Sequence, residues 1–351
     1  MVIEKRMKAL IKYDNKDNAA KIMEVDVPQI NNDEVLIEVK YAGICGSDPH
    51  ILHQNITYKI NVPIILGHEY SGIIVRVGKN VKEWNIGDRV TSETHYYYCN
   101  ECIMCKTGNY HLCKKRMGYG FQANGAFTKY ITANKRILHR IPENISLQEG
   151  ALIEPLCVAY NAIVNNSNFN PGDSALIIGP GTIGLASLML LKNMGASRLV
   201  IVGTELDKER LLKAKELGAS DFSYSSNIEK IMSFVKETNE GYGFDLVIDS
   251  AGHADTLKMA IKTVKPLGEI IKIGWSPKPI DYSLDEIIAK SVKLIGSFSH
   301  YWIVWEKCIN LLESGKINLS SLITHIKPLE EWQEAFELVE KSKGIKVIFK
   351  I

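Results

Sequence analysis

The sequence predicts an α/β protein built from two parts, a β-rich part followed by a doubly wound parallel sheet of Rossmann type. Short apolar runs separated by Gly, Asn and Asp fill roughly the first 140 residues, where helical periodicity is scarce, and this is typical of an antiparallel, barrel-like β domain. Beyond Pro171, strand-like and helix-like segments alternate, which indicates βαβ units and a parallel sheet. The length of 351 residues is enough for two domains of ordinary size.

The β-rich part is expected to contain a series of short strands before its first long helical stretch. These strands are predicted at residues 8–13, 34–42, 72–77, 89–94 and 126–132. The stretch from Asn144 to about Val164 is largely apolar and looks helical. We therefore expect the first domain to end within this stretch.

The second part places strands and helices in the order that a parallel sheet requires. Strands are predicted at residues 175–178, 199–202, 244–249, 269–273 and 292–295, with helices beginning at Thr182, Asp207 and Ala254. After Gly296 come two helical stretches and a closing strand at residues 345–350, a tail too short to fold alone. The predicted domains are residues 1–157, residues 158–295 and a return of residues 296–351 to the first domain.

Composition excludes several classes of partner. A net charge of +2, with 46% hydrophobic and 23% charged residues, is that of a soluble globular protein without a nucleic-acid footprint. The basic run Lys114-Lys115-Arg116 is interpreted as a solvated loop end, with a phosphate or substrate contact as the alternative. The uncharged run 175–191 is interrupted by glycines and a proline, so we expect no membrane span. The N-terminus lacks the apolar core of a signal peptide, and a cytoplasmic protein is predicted.

Four of the seven cysteines lie in one short segment with the spacing C-x2-C-x2-C-x7-C. They are Cys99, Cys102, Cys105 and Cys113, within a lobe at about residues 95–115. Four cysteine ligands can close a tetrahedron around Zn²⁺ with no open position, so this set predicts a structural zinc. An iron–sulfur cluster and two disulfides are the alternatives, but ferredoxin runs continue with x3-C-P and disulfides suit an oxidising compartment.

A second, mixed set of ligand types suggests a zinc ion that does chemistry. Cys45, His68 and one carboxylate would supply sulfur, nitrogen and oxygen and leave a fourth position open, as in catalytic zinc sites. Glu154 lies in an apolar stretch, where a buried carboxylate needs a partner such as a metal. Glu69 follows His68 directly and is a second candidate.

A glycine-rich turn between a predicted strand and a predicted helix has the pattern G-x-G-x-x-G. In this pattern the first glycine allows a tight turn, the second lets the backbone approach a pyrophosphate, and the third allows close packing of helix and strand. The start of the following helix offers free N–H groups to a phosphate. The cofactor-binding residues expected here are Gly179, Gly181, Thr182, Ile183 and Gly184.

An acidic residue at the end of the next predicted strand indicates which dinucleotide binds. Glu205 lies about 20 residues beyond the third glycine, where a carboxylate binds the ribose hydroxyls and repels a 2′-phosphate. This favours NAD over NADP. Arg210 is interpreted as a solvated helix residue, with tolerance of a 2′-phosphate as the alternative. Ser250, after a later strand, completes the expected cofactor set.

Taken together, these motifs resemble those of the zinc-containing medium-chain dehydrogenases over the whole chain. The resemblance is carried by Gly67-His68-Glu69-x2-Gly72-x5-Gly78, by Cys45-Gly46-Ser47-Asp48, by the four-cysteine lobe and by the glycine loop. It implies a GroES-like catalytic domain around a Rossmann domain, two zinc ions per chain, NAD, and a homodimer or homotetramer. Glu154-Pro155-Leu156 is similar to the sorbitol/polyol, butanediol and threonine dehydrogenase branch.

The resemblance also implies roles for individual residues. Cys45, His68 and Glu154 would hold the catalytic zinc, and Glu69 would enter or leave its ligand shell. Ser47 and His50 match the proton-relay positions, so Ser47, His50 and Glu69 are the expected catalytic residues. The expected activity is hydride transfer from a secondary alcohol, such as a polyol or diol, to NAD. Threonine or sugar-phosphate dehydrogenase activity, a zinc-free quinone or enone reductase, and a non-enzymatic metal-braced nucleotide-binding protein are the alternatives.

Two positions differ from the sorbitol dehydrogenases that the chain resembles. Those enzymes carry an aromatic residue directly after the relay histidine and an arginine after a Gly-x-Phe, where this chain has Ile51 and Ser299. Both positions are associated with polyol contacts, so a substrate other than plain sorbitol is predicted. The residues His300, Tyr301 and Trp302 are interpreted as aromatic core packing or, alternatively, as part of a substrate pocket.

Overall fold

The chain divides into two structural units in a computed structural model that describes residues 3–276 and 278–351. Unit 1 comprises the chain up to Glu154 together with His300–Ile351, and unit 2 comprises Pro155–Ser299. The C-terminal segment therefore returns to the unit in which the chain starts.

The N-terminal part of unit 1 consists of short strands with three short helices. Its elements are β1 (Arg6–Lys12), β2 (Ala20–Asp26), β3 (Glu34–Gly43), α1 (Ser47–Leu52), β4 (Ile64–Ile65), β5 (Glu69–Val77), β6 (Arg89–Ser92), β7 (His95–Tyr97), α2 (Ile103–Lys106), β8 (Met117–Gly118), β9 (Tyr130–Asn134), β10 (Leu138–Arg140) and α3 (Leu147–Gly150). The predicted β-rich character of this part is confirmed.

Unit 2 alternates strands and helices. Unit 2 starts within α4, and its elements are α4 (Ile153–Tyr160), β11 (Ser174–Ile178), α5 (Thr182–Asn193), β12 (Arg198–Gly203), α6 (Lys208–Leu217), β13 (Asp221–Tyr224), α7 (Ile228–Lys236), β14 (Phe244–Asp249), α8 (Ala254–Thr263), β15 (Val264–Lys272), α9 (Asp285–Ala289) and β16 (Lys293–Gly296). The strands pair in parallel in the order β13-β12-β11-β14-β15-β16. This is the strand order of a Rossmann fold, so the predicted fold class is confirmed.

The segment that returns to unit 1 contains α10 (Trp302–Glu313), β17 (Ile323–Pro328), α11 (Trp332–Glu340) and β18 (Lys346–Lys350). Strand β18 pairs antiparallel with β3 and parallel with β17. Phe349 of β18 is buried in the same core as Leu10, Ile37 and Phe127. None of the helices within residues 3–276 and 278–351 is both long and apolar enough to span a bilayer.

The long strand β3 organises unit 1. It pairs with β5 along one edge, and with β9 and then β18 along the other. Its buried side chains include Val35, Ile37 and Val39, which alternate along the strand and face one core. Because β3 ends at Gly43 opposite Glu69 of β5, the chain segments that follow β3 and precede β5 are brought side by side.

Several predicted boundaries differ from the structure. A strand was expected at residues 126–132, but the strand found is β9, Tyr130–Asn134. Residues 125–127 instead bond to the backbone of residues 65–67, and a Cβ on Gly125 would lie 2.0 Å from the carbonyl oxygen of Gly67. This close backbone approach leaves no room for regular strand pairing at Gly125.

Candidate metal and cofactor sites

The four cysteines of the lobe converge on one point. The Sγ–Sγ distances are 3.9 Å for Cys99–Cys105, 3.6 Å for Cys102–Cys105 and 3.6 Å for Cys113–Cys99. Sulfur atoms about 2.3 Å from a single zinc in a tetrahedron would be about 3.8 Å apart. A disulfide needs about 2.05 Å, and all four thiols are free. The geometry therefore fits a closed metal site.

Local backbone structure holds these sulfurs. Helix α2 begins directly after Cys102 and carries Cys105, and a short 3-10 turn, Tyr110–Leu112, leads into Cys113. Backbone amides of Glu101 and Cys102 lower the pKa of Cys99 to about 6, which favours the deprotonated form that binds a metal.

A second group of ligand atoms comes from Cys45, His68 and Glu69, which lie within 4.8 Å of one another. Cys45 follows the end of β3, while Glu69 begins β5 with His68 just before it. A Cβ at Gly43 would lie 2.4 Å from Oε2 of Glu69, so glycine is needed where the carboxylate folds over β3. The set offers sulfur, nitrogen and oxygen, and it fits a zinc ion with an open position.

Asp48 supports this second group, and sequence analysis did not assign it a role. Its Oδ2 accepts a hydrogen bond of 2.8 Å from the backbone N–H of Cys45, and its Oδ1 lies 3.7 Å from Nδ1 of His68. Burial raises the pKa of Asp48 to about 6. Burial alone lowers the pKa of His68, but Asp48 and Cys45 beside it raise it to about 10. A carboxylate near the second nitrogen of a ligand histidine is a common arrangement at metal sites.

Lys346 of β18 is also part of the surroundings of Glu69. It is only 2% exposed, its Nζ donates to the carbonyl oxygen of Ile44 at 2.9 Å, and it forms an ion pair with Oε2 of Glu69. Burial lowers the pKa of Lys346, but the carboxylate of Glu69 raises it above its ordinary value. The lysine therefore balances the charge of a buried carboxylate.

Glu154 is placed differently from the sequence interpretation, which favoured it as the third ligand. It is 8% exposed, and its Oε1 lies 2.9 Å from Nε2 of His300. The ligand atoms of Cys45, His68 and Glu69 converge without it. Burial raises the pKa of Glu154, but the hydrogen bond from His300 and the nearby positive groups hold it below its ordinary value. Glu154 is thus a buried carboxylate beside the set of Cys45, His68 and Glu69.

A third cluster, Glu93, His95 and His300, also brings ligand-type atoms together. The nitrogens of both histidines are already engaged in hydrogen bonds. Nδ1 of His95 accepts from Nε of Arg116 at 2.6 Å and its Nε2 donates to the carbonyl oxygen of His300 at 2.8 Å. Nδ1 of His300 accepts from Trp305 at 2.9 Å. This cluster is therefore a hydrogen-bond network rather than a metal site.

The proposed relay residues lie on α1. Ser47 begins the helix, and its Oγ is buried with no hydrogen-bond partner among the described residues. His50 lies one turn later and is exposed. Ile51 is 0% exposed within the hydrophobic core of unit 1, so it faces away from any substrate. The presence of Ile51 where sorbitol dehydrogenases have an aromatic residue therefore says little about substrate specificity.

The glycine loop of unit 2 has the geometry that its sequence predicts. Gly179 has φ +101°, which only glycine adopts easily, and a Cβ on Gly184 would lie 1.9 Å from the carbonyl oxygen of Gly179. Nothing lies within 4 Å of the Cβ position of Gly181, which leaves space beside the start of α5 at Thr182 and Ile183. Ser250 donates to the carbonyl oxygens of Ile178 and Gly179, both at 2.9 Å, so it braces the loop.

The acidic residue expected to bind ribose follows β12. Glu205 is exposed in a short 3-10 turn and accepts a hydrogen bond from Ser226, which lowers the pKa of Glu205. Arg210 is not a solvated helix residue, because its NH1 lies 3.0 Å from Oδ1 of Asp207 and its side chain is only 12% exposed. This pairing directs the guanidinium of Arg210 towards Asp207.

Arg116 also differs from the sequence interpretation. Lys114 and Lys115 are exposed, as expected for a loop end, but Arg116 is half-buried. Its Nε donates to His95 and its NH2 donates to Oγ1 of Thr94 at 3.2 Å. Burial, with Arg116 alongside, holds the pKa of His95 well below its ordinary value, so both of these acceptors are uncharged.

Comparisons with known proteins give matches in both the N-terminal and the later part of the chain. A family model for the alcohol dehydrogenase GroES-like domain matches residues 31–143, and one for zinc-binding dehydrogenases matches residues 182–314. The chain is 36% identical to sorbitol dehydrogenase of Halalkalibacterium halodurans, over 97% of this chain and 98% of the relative. It is 37% identical to D-arabitol-phosphate dehydrogenase of Enterococcus avium, over 99% and 98%.

Solved structures show the same fold with nicotinamide cofactors bound. An alcohol dehydrogenase from Escherichia coli CFT073 in complex with NADH has a TM-score of 0.90 at 29% identity, covering 99% of this chain and 100% of that one. A zinc-binding dehydrogenase structure from Sinorhizobium meliloti 1021 bound to NADP has a TM-score of 0.89 at 25% identity, with the same coverage.

Proposed function

Because the chain belongs to the zinc-dependent medium-chain alcohol dehydrogenases, enzymes that use a nicotinamide cofactor, we propose that it oxidises a secondary alcohol of a polyol or related hydroxy compound with NAD. The convergence of Cys45, His68 and Glu69 on one point carries this proposal. A zinc ion held there supplies a Lewis acid that favours loss of the alcohol proton, and the bound nicotinamide supplies the hydride acceptor.

The chain's own residues would handle the proton. Ser47 Oγ, buried and without a hydrogen-bond partner among the described residues, can accept the hydroxyl proton of the substrate while it donates its own hydroxyl proton to a water that leads towards His50. His50 lies three residues further along α1, on the same side of the helix, and is exposed, so it can pass a proton to solvent. Asp48 orients His68, and Lys346 holds Glu69.

The second zinc is proposed to brace the lobe. Cys99, Cys102, Cys105 and Cys113 would complete a closed tetrahedron, so this ion takes no part in chemistry.

The test of the proposed function has two measurements. Metal analysis of the purified protein should find two zinc ions per chain, and a panel of polyols, diols and amino alcohols should give alcohol-dependent reduction of NAD. A protein with zinc at the lobe alone, or with no alcohol-dependent reduction across the panel, would contradict the proposal.

Glu205→Ala is expected to erode the preference for NAD. The exposed carboxylate binds the ribose hydroxyls and repels a 2′-phosphate, and Arg210 is held by Asp207. The ratio of kcat/KM for NAD over NADP should fall roughly ten- to hundredfold, since hydrogen bonds to a charged group are lost. Kinetics with both cofactors provide the check, with the nearby exposed Glu209→Ala as the matched control. Equal use of both cofactors by the wild type would refute the assignment.

Sorbitol is expected not to be the best substrate. Ser299 stands where the sorbitol enzymes that the chain resembles have an arginine, and it is too short to replace it. Each polyol hydroxyl left without a partner should cost roughly 1–3 kcal/mol. Comparing kcat/KM for sorbitol with the values for diols, cyclic polyols and phosphorylated polyols gives the answer. If sorbitol were the best substrate, Ser299 would have been misinterpreted.

A phosphorylated polyol is the second candidate substrate, because one relative, at 37% identity over 99% of this chain, is a D-arabitol-phosphate dehydrogenase. In the same substrate panel, kcat/KM for a phosphorylated polyol should then exceed kcat/KM for the same polyol without its phosphate. A panel in which the unphosphorylated polyols are the better substrates would remove this candidate.

A further inference from the structure

The position of Glu154 decides whether it is a zinc ligand or a neighbour of the zinc. Its Oε1 lies 2.9 Å from Nε2 of His300, and the two residues are 8% and 0% exposed, so water does not compete for this bond. We propose that His300 is a positioning residue that holds Glu154 beside the set of Cys45, His68 and Glu69 instead of within it. The effect of this contact on catalysis rests on the proposed function, whereas the hydrogen bond between His300 and Glu154 does not.

The second ring nitrogen of His300, Nδ1, shows which partner donates in the hydrogen bond between His300 and Glu154. Nε1 of Trp305 can only donate, and it lies 2.9 Å from Nδ1 of His300. Nδ1 must therefore be the acceptor nitrogen of a neutral imidazole, and the proton is on Nε2. His300 consequently donates to Glu154, and Trp305 selects the tautomer that can do so.

The ring of His300 is fixed in orientation as well as in tautomer. Trp305 packs edge-on against it, with centroids 5.0 Å apart and an interplanar angle of 89°, and His95 lies 5.2 Å away on another side. The backbone carbonyl of His300 also accepts from Nε2 of His95. Rotation of the ring would break both side-chain bonds, so one orientation is strongly favoured.

The charges explain why holding Glu154 aside is useful. A thiolate and a carboxylate ligand would already offset part of the positive charge of a zinc ion at this set. A second carboxylate ligand would lower that charge further and weaken the ion as a Lewis acid. With Oε1 engaged by His300, Glu154 remains a buried hydrogen-bond acceptor beside the centre, and the fourth position stays open.

The tautomer can be tested in the zinc-free protein without any activity measurement. Long-range ¹H–¹⁵N spectra of protein labelled at histidine should show a neutral His300 with its proton on Nε2, assigned by the signals missing in His300→Gln. Trp305→Phe removes the donor and should allow the Nδ1-protonated form. Trp84→Phe, at a tryptophan whose Nε1 donates to the carbonyl oxygen of Lys135 instead, should leave the spectrum of His300 unchanged. A proton on Nδ1 in the wild type would overturn the proposal.

Enzyme kinetics of His300 variants distinguish a role in positioning Glu154 from a role in packing alone. Glutamine keeps an N–H near the place of Nε2, whereas leucine keeps bulk without a donor. His300→Leu should lower kcat/KM roughly 10- to 100-fold, mainly through kcat, as for other residues that orient metal-site groups. His300→Gln should recover most of this loss, Trp305→Phe should lie between the two, and Trp84→Phe should match the wild type. Equal losses for His300→Leu and His300→Gln would overturn the proposal.

The two experiments also separate this inference from the proposed function. If the wild type reduces NAD with no alcohol of the panel, the proposed function fails, and the nitrogen spectra alone decide the inference. If His300→Leu does not fold, the comparison of Trp305→Phe with Trp84→Phe carries the test.

Discussion

Replacement of Cys45 by serine is expected to abolish turnover while the protein stays folded. The set of Cys45, His68 and Glu69 loses its sulfur ligand, and with it the Lewis acid that favours loss of the alcohol proton. Several kcal/mol of transition-state stabilisation should disappear, which corresponds to a loss in kcat/KM of at least about 10³-fold. Initial rates with the best alcohol, zinc content and thermal unfolding are the measurements.

The control for this prediction is Cys308→Ala. Cys308 is a buried cysteine of α10 that belongs to neither metal set, so its replacement tests the loss of a buried thiol alone. It should keep two zinc ions and near-normal turnover, whereas Cys45→Ser should keep one. Turnover by Cys45→Ser at more than a tenth of the wild-type rate would contradict a catalytic zinc at this set.

Replacement of Cys102 by serine is expected to act on stability. Cys102 lies at the start of α2, with its Sγ 3.6 Å from that of Cys105, and the lobe around it has short helical elements with no buried residue in α2. The zinc ion proposed for the lobe would therefore supply the energy that orders it, because metal binding is coupled to folding. The free energy of unfolding should fall by several kcal/mol.

A chelator further distinguishes the roles proposed for the two zinc ions. Denaturant unfolding of Cys102→Ser, with and without a strong chelator, should show little additional change, while the wild type should lose stability when chelated. The comparison with Cys45→Ser, whose unfolding should remain close to that of wild type, shows that the effect is specific to the lobe. Unchanged stability and two zinc ions in Cys102→Ser would contradict a structural metal.

The parallel sheet could be predicted because its central strands β11, β12 and β14 each contain a run of buried apolar residues. The edge strand β13, Asp221–Tyr224, was missed, and so was α7, which follows it. The sequence of β13 is DFSY, short and half polar, because an edge strand meets fewer neighbours. Strand β17, with the sequence ITHIKP, was missed because its alternate residues are exposed and it ends in proline.

The candidate metal ligands could be picked out in the sequence because their spacing is local or their residue types are rare. The surroundings of the mixed set were not visible, because their partners are far apart in the chain. Glu154 meets His300, and Glu69 meets Lys346, only through the return of the C-terminal segment to unit 1. A buried lysine in a strand and a histidine between aromatic residues carry no local pattern that predicts such contacts.

The order of synthesis gives Lys346 a further significance. Strand β18 follows the whole of unit 2 in the chain, so the ribosome makes Cys45, His68 and Glu69 long before it makes the lysine that neutralises Glu69. Domains tend to fold as they emerge, and unit 2 is continuous, so it can fold while unit 1 still lacks a strand. A nascent chain in this state has an uncompensated carboxylate beside a thiol and an imidazole, and it can capture a metal ion before β18 closes over the site.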